Sequence, residues 1–226
     1  GSGVTSYQTT GLSAATSYSY TVEAFRGNVE SNASNTASAT TTSCGPGAPT
    51  LNSPANNAII NRADSVSLSW NAVTGATQYY AEFWGGPGTN INSTWISGTS
   101  WSLGSQWSGV YQWRVKAKNN TGQESGWSET RTLNIRPGTP SNLSTSVLSS
   151  EQIRLSWSAS SDAPGNIDGY RIYRNGSAVA TVSGSENTYQ NNGLSCNTSY
   201  SFFVRAYKGS LESNSSNTVN AITQPC

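Results

Sequence analysis

Asp162, Asn166 and Asp168 place hard oxygen donors at a D-x3-N-x-D spacing, the kind of set a calcium ion would draw from one loop. Two carboxylates lack the acidic density of a good site, and the loop is rich in turn residues, so we read them as aspartates that cap local backbone. Paired acids could also hydrolyse a glycosidic bond, but that needs two carboxyl groups facing one sugar. Glu82, Glu124 and Glu129 are isolated in sequence among basic residues and form no such pair. There is no histidine at all, so Ser-His-Asp, Cys-His and His-based zinc or iron chemistry are excluded within these residues. The cysteines, Cys44, Cys196 and Cys226, form no Cys-x-x-Cys, and an odd number leaves one thiol unpaired or paired elsewhere. We therefore expect no catalytic residue, no metal and no cofactor.

The residues suited to binding are aromatic. Seven of the eight tryptophans, Trp70, Trp84, Trp95, Trp101, Trp107, Trp113 and Trp127, fall between positions 45 and 136. Around them the chain is hydroxyl-rich and weakly charged: Ser, Thr, Asn and Gly number 40, 25, 23 and 22 of 226 residues, only 10% are charged, and the net charge is +1. A basic footprint for nucleic acid is absent. No apolar run approaches the roughly 18 residues needed to span a bilayer, so no membrane insertion is expected. The 10% of aromatic residues argue for a folded chain.

The elements that must position these residues follow from period and repetition. Ser65–Trp70, Tyr111–Ala117, Gln152–Trp157 and Tyr200–Ala206 alternate polar and apolar residues, the mark of half-buried strands. Tyr7–Cys44 aligns without gaps on Tyr189–Cys226, with 21 identities in 38 positions, which is a duplication. Proline and glycine at Cys44–Pro49 and Arg136–Pro140 mark short stiff linkers. The expected layout is a partial repeat at 1–44, a full one at 45–136 and another at 137–226. Short strands at this spacing predict two-sheet sandwiches, an all-β fold.

In order and three times over, these motifs resemble those of bacterial secreted fibronectin type III domains. The motifs are an early proline (Pro49, Pro140), a strand-B tryptophan (Trp70, Trp157), a strand-C tyrosine (Tyr79, Tyr170), and a leucine ahead of a strand-F tyrosine (Leu12/Tyr18, Leu103/Tyr111, Leu194/Tyr200). The stretch Asp162-Ala163-Pro164-Gly165-Asn166-Ile167-Asp168-Gly169-Tyr170 resembles the loop before strand C in such domains attached to chitinases. The resemblance implies strands E, F and G for residues 1–44, and a hydroxyl of the strand-F tyrosine tied to backbone. The eight residues from Leu103 to Tyr111, against six in the other copies, predict a longer E–F loop in the middle repeat. The implied topology brings Cys196 and Cys226 to one pole, where a disulfide would clamp the last strand and stabilise by about 3–4 kcal/mol.

Strand parity puts Tyr79, Ala81, Phe83, Tyr111, Trp113 and Val115 in the middle core, with Trp70 and Trp101. It turns Tyr80, Glu82, Trp84, Gln112, Arg114 and Lys116 outward, with Trp95 beside them. Tyr80, Trp84, Trp95, Arg114 and Trp127 are the candidate ligand face. Exposed aromatics with hydrogen-bonding neighbours suit a sugar, whose ring has an apolar C–H face. Ser125-Gly126-Trp127-Ser128 also resembles half of the Trp-Ser-x-Trp-Ser element of cytokine-receptor fibronectin domains, which implies a structural stack of Trp127 on Arg114 or Lys116. We take the stack as the first expectation, the contact face as the second and packing against a neighbouring domain as the third. The function expected is a non-catalytic extracellular spacer or adhesion array, forming a stalk, fibre or filament segment. The alternative is a carbohydrate-binding accessory region of a secreted hydrolase. Expected partners are neighbouring domains or subunits of the same protein, and a polysaccharide or glycan under the alternative.

Overall fold

The computed structural model describes residues 3–42, 44–87, 90–162 and 165–226; Ala163 and Pro164 of the loop motif lie outside them. All regular elements among these residues are strands. Among the described residues no helix is long and apolar enough to cross a membrane.

The first segment holds β1 (Ser17–Tyr20), β2 (Phe25–Arg26), β3 (Val29–Glu30) and β4 (Ala37–Thr40). β1 pairs with β4 and β2 with β3, both antiparallel.

The second segment holds β5 (Leu51–Ser53), β6 (Ala58–Asn61), β7 (Ser65–Trp70), β8 (Gln78–Gly85), β9 (Ile91–Asn92), β10 (Ser100–Ser105), β11 (Gly109–Lys118) and β12 (Arg131–Arg136). They form two sheets, β10-β7-β5 and β6-β12-β11-β8-β9, with β6 running parallel to β12. The alternation seen in sequence becomes burial on one face. Tyr79, Ala81 and Phe83 of β8 and Tyr111, Trp113 and Val115 of β11 are all buried, closed from the other sheet by Val66, Leu68 and Trp70. Each large apolar side chain fully buried here contributes roughly 1.5–3 kcal/mol. Trp101 is half-buried against the same core.

The third segment holds β13 (Ser141–Val147), β14 (Ile153–Ser158), β15 (Gly169–Arg174), β16 (Ser177–Ser183), β17 (Thr188–Asn191), β18 (Ser199–Lys208), β19 (Leu211–Glu212) and β20 (Val219–Ile222). Sheet β13-β14-β17 packs on β16-β15-β18-β19, with β20 also paired to β18. Leu143, Ile153, Leu155, Trp157, Tyr170, Ile172, Phe202 and Val204 fill the core.

Two expectations are corrected. The turn from β10 to β11 is shorter than that from β17 to β18, because the extra residues of the middle copy lie inside the strands. One of them is the irregularity between Ser102 and Gly104, where the β10–β7 register shifts. Residues 4–10, aligned with β17, form no strand. β17 is held by β14, and the first segment contains no counterpart of β14.

The strand-F tyrosines share a role with one inversion. The hydroxyls of Tyr18 and Tyr200 accept the backbone N–H groups of Ser13 and Ser195, at 2.9 and 3.0 Å. Tyr111 instead donates to the carbonyl of Trp107 at 3.0 Å. Burial pushes the Tyr111 phenol up to about 12, with nearby Arg62 opposing and Asp162 adding to the shift, so it stays a donor at neutral pH.

Candidate functional site

The outward face of β8 and β11 is built by register. Arg114 lies opposite Glu82, Lys116 opposite Tyr80 and Gln112 opposite Trp84 across the antiparallel pair, so alternate residues of both strands share one surface. Trp127 reaches it from the stretch before β12, which is held by serines rather than by strand pairing. Ser125 N–H donates to Ala117 O at 2.8 Å, and the Ser125 hydroxyl accepts Ala117 N–H at 2.8 Å. Ser128 does the same to Val115, at 2.8 and 3.0 Å. Each hydroxyl donates to the next residue's carbonyl, Gly126 O and Glu129 O, at 2.7 Å. The N–H and C=O of Val115 and Ala117 are thereby satisfied without a ladder.

This mounting lays the Trp127 ring over two cations, Arg114 at 4.1 Å and Lys116 at 5.0 Å. Arg114 also faces Trp84 at 5.4 Å, Lys116 faces Tyr80 at 5.4 Å, and Lys118 lies over Trp95 at 4.3 Å. Tyr80 stands 5.5 Å from Trp95 and 6.1 Å from Trp127, centroid to centroid. Glu82 pairs with Arg114 at 2.8 Å and Glu124 with Lys116 at 2.6 Å. The structure thus brings all five candidate residues, Tyr80, Trp84, Trp95, Arg114 and Trp127, onto one half-exposed face. Aromatic faces alternate with cations along it, an arrangement that stiffens the sheet face.

The same Glu-Ser-x-x-Ser device recurs at Glu30–Ser34 and Glu212–Ser216. Ser31 and Ser34 accept the N–H groups of Ala24 and Val22, and Ser213 and Ser216 those of Ala206 and Val204. In the third sandwich Glu212 bonds Arg171, Arg205 and the Tyr173 hydroxyl, and Tyr173 stacks on Phe203 at 4.5 Å. The spacing is visible in all three copies of the sequence, and was the available signal for this device.

A second site joins the middle and third sandwiches. The Asp162 side chain is fully buried. Its Oδ2 accepts Gly138 N–H at 2.7 Å and lies 3.1 Å from the Ser160 hydroxyl. Its Oδ1 accepts Ser108 N–H from the middle sandwich and the Asn166 amide, both at 3.2 Å. Arg62, also of the middle sandwich, brings Nε to 3.6 Å and stacks on Trp107 at 4.2 Å. Burial alone would raise the Asp162 carboxyl, but the hydrogen bonds from Gly138, Ser108 and Ser160 outweigh it and hold the group below its ordinary value. A Cβ on Gly138 would fall 2.2 Å from Ser161 Oγ and 3.1 Å from Ser161 N, so a larger residue there would have to turn the Ser161 hydroxyl aside. The calcium-like set is spent on other contacts: Asn166 Oδ1 accepts Lys208 Nζ at 3.2 Å, and Asp168 Oδ2 accepts Gly209 N–H at 2.7 Å. Sequence offered no sign that Asp162 reaches across to Ser108 and Arg62, because neither partner carries a motif.

Cys196 and Cys226 form the disulfide, with Cα atoms 5.3 Å apart, and Cys44 is an exposed free thiol.

Comparison with known proteins supplies the context. Over 158 residues, 64% of this chain, the sequence is 35% identical to Chitinase A1 of Niallia circulans, covering 21% of that protein. Over 217 residues it is 28% identical to Exoglucanase B of Cellulomonas fimi, covering 20% of it. The chain thus spans about a fifth of these relatives. A solved two-domain fibronectin type III segment of chicken tenascin superposes with a TM-score of 0.60, over 80% of this chain and 100% of that one, at 20% identity, a likeness of fold. Residues 138–222 match the fibronectin type III domain. The chain accordingly resembles fibronectin type III domains, over residues 138–222 by sequence and more widely by its sandwich fold.

Proposed function

We propose that this chain is a non-catalytic accessory stretch of a secreted protein that acts on polysaccharide, and that it holds the parts it joins at a fixed spacing and orientation. The observation that carries the proposal is the buried joint at Asp162, where one carboxylate draws together the linker, Ser108 and Arg62 of the sandwich before it, and Ser160 and Asn166 of its own. A flexible string of domains has no use for such a contact, since interfaces between freely moving domains are small and solvated. The Cys196–Cys226 bond fits an oxidising, extracytoplasmic compartment. The relatives named as a chitinase and an exoglucanase supply the polysaccharide context.

Small-angle scattering tests the spacer. One fixed arrangement of residues 45–226 should fit the wild-type curve, and Asp162→Ala should require a spread of arrangements. A wild type as loose as the variant would refute it. The half-exposed aromatic face favours a second reading, a weak sugar-binding surface. Incubation with insoluble chitin and cellulose separates the two: a spacer stays in the supernatant, whereas a binding module sediments and is released by Trp84→Ala.

A further inference from the structure

Asparagine followed by glycine occurs twice in the chain, at Asn175-Gly176 and Asn192-Gly193. The pair carries a reactivity of its own. The side-chain amide carbon lies within reach of the next residue's backbone nitrogen, and glycine, having no Cβ, neither shields that nitrogen nor restricts its approach. Both asparagines are exposed to the water that such a reaction consumes. The fold treats them differently.

Asn175 is pinned to a neighbouring strand. It stands at φ 49°, with Gly176 at φ 82°, in the two-residue turn between β15 and β16. Its backbone N–H donates to Ser201 O at 2.9 Å, and its Oδ1 accepts Ser201 N–H at 2.9 Å. Main chain and side chain are thus both fastened to β18, and Cγ cannot turn to Gly176 N until those bonds open.

Asn192 follows the last residue of β17 and has no such anchor. Gly193 stands at φ +69° with open space where a Cβ would be, and among the described residues its N–H meets no acceptor. The Asn192 amide is tied instead to an exposed side chain, Gln190, whose Nε2 donates to Oδ1 at 3.0 Å. This donor polarises the carbonyl and, being on a side chain, can follow the oxygen as it gains charge.

We propose that Asn192 is a self-modification site, where the chain converts a side-chain amide into a carboxylate without an enzyme. The Gly193 nitrogen, its proton taken by hydroxide, attacks Asn192 Cγ; the bond from Cγ to Nδ2 breaks, ammonia leaves, and a cyclic imide closes. Water then opens the imide at either carbonyl, to aspartate or isoaspartate, with nothing oxidised or reduced. Leu194, 5% exposed, enters the core immediately afterwards, its N–H donating to Glu151 O at 3.1 Å. Isoaspartate inserts one carbon into the main chain ahead of it, and either product takes the net charge of +1 to zero. The first copy carries Thr10-Gly11 at this place and is inert to the same chemistry.

The test incubates the full chain at mildly alkaline pH and follows each site by peptide mapping with mass spectrometry. Native Asn192 should convert at least about 10-fold faster than native Asn175, and the two rates should converge in denaturant, where Ser201 no longer holds Asn175. Asn192→Thr, the residue of the first copy, should remove the leading acidic species on isoelectric focusing. A native Asn192 no faster than Asn175, or an acidic species that forms at the same rate in Asn192→Thr, would overturn the proposal.

Discussion

Asp162 Oδ1 accepts the backbone N–H of Ser108 at 3.2 Å across the boundary between two sandwiches, inside a pocket that leaves the carboxylate no exposed surface. A single hydrogen bond of this length is ordinary. Its weight comes from company, because the same carboxylate also satisfies Gly138 N–H and faces the Arg62 guanidinium. Removing it strands several buried donors together.

Asp162→Ala should therefore cost about 2–4 kcal/mol, since it leaves Arg62 without its acid and two backbone N–H groups without an acceptor. Denaturant unfolding should show the middle and third sandwiches melting less cooperatively than in wild type. An effect below about 0.5 kcal/mol would mean that water replaces the carboxylate at no cost.

The same group sets an acid limit. Its carboxyl sits below the ordinary value of 3.8 in the folded chain, so its stabilisation is complete above that value and is lost as pH falls through the folded one. The difference in melting temperature between wild type and Asp162→Asn should hold constant from neutral pH to about pH 5 and shrink below about pH 4.

The serine mounts predict unequal costs for one substitution. Ser216 is buried and its hydroxyl accepts Val204 N–H at 3.0 Å, so Ser216→Ala should cost about 1–3 kcal/mol in equilibrium unfolding. Ser34 makes the equivalent bond to Val22 at 3.0 Å on an exposed face, where water can substitute, and Ser34→Ala should cost under about 0.5 kcal/mol.

Trp127→Ala removes the ring shared by Arg114 and Lys116 and should destabilise the middle sandwich by about 1–2 kcal/mol. Fluorescence of the remaining tryptophans, led by the buried Trp113, reports that transition. Glu124→Ala, at a more exposed ion pair, should change it by about 0.5 kcal/mol or less.

The thiols separate cleanly. One equivalent of a maleimide should label the native chain, at Cys44. Reduction should open the 30-residue span between Cys196 and Cys226 and cost the third sandwich about 3–4 kcal/mol. Labelling of two or more native thiols would show the bond unformed in solution.

Strand parity was legible in sequence because each strand faces water on one side and core on the other. Tyr79, Phe83 and Trp113 turned inward while Tyr80, Trp84 and Arg114 turned outward. The ladder was half legible: Ser125–Ser128 pointed to a stack, but the ring spacing along Lys116 and Lys118 depends on how the chain returns through Trp95. The joint was not legible. Arg62, Ser108 and Asp162 are separated by long stretches of sequence and meet only when two independently patterned sandwiches dock. The loop at Gln106–Ser108 was misjudged because residue counts between motifs cannot distinguish an added loop residue from an irregularity within β10.

The Glu-Ser-x-x-Ser device attaches its segment through two hydroxyls and leaves the side chains of the two central positions out of that mounting. Those positions act as a socket on the outer sheet face. The middle copy fits it with Gly126-Trp127, and the third fits it with Asn214-Ser215, whose Ser215 hydroxyl accepts Arg205 Nε–H at 3.0 Å. A surface can thus be re-equipped by exchanging two residues while strand F keeps every backbone bond. Grafting Gly-Trp at 214 and 215 would set an indole over Arg205 on a scaffold already wired to receive it.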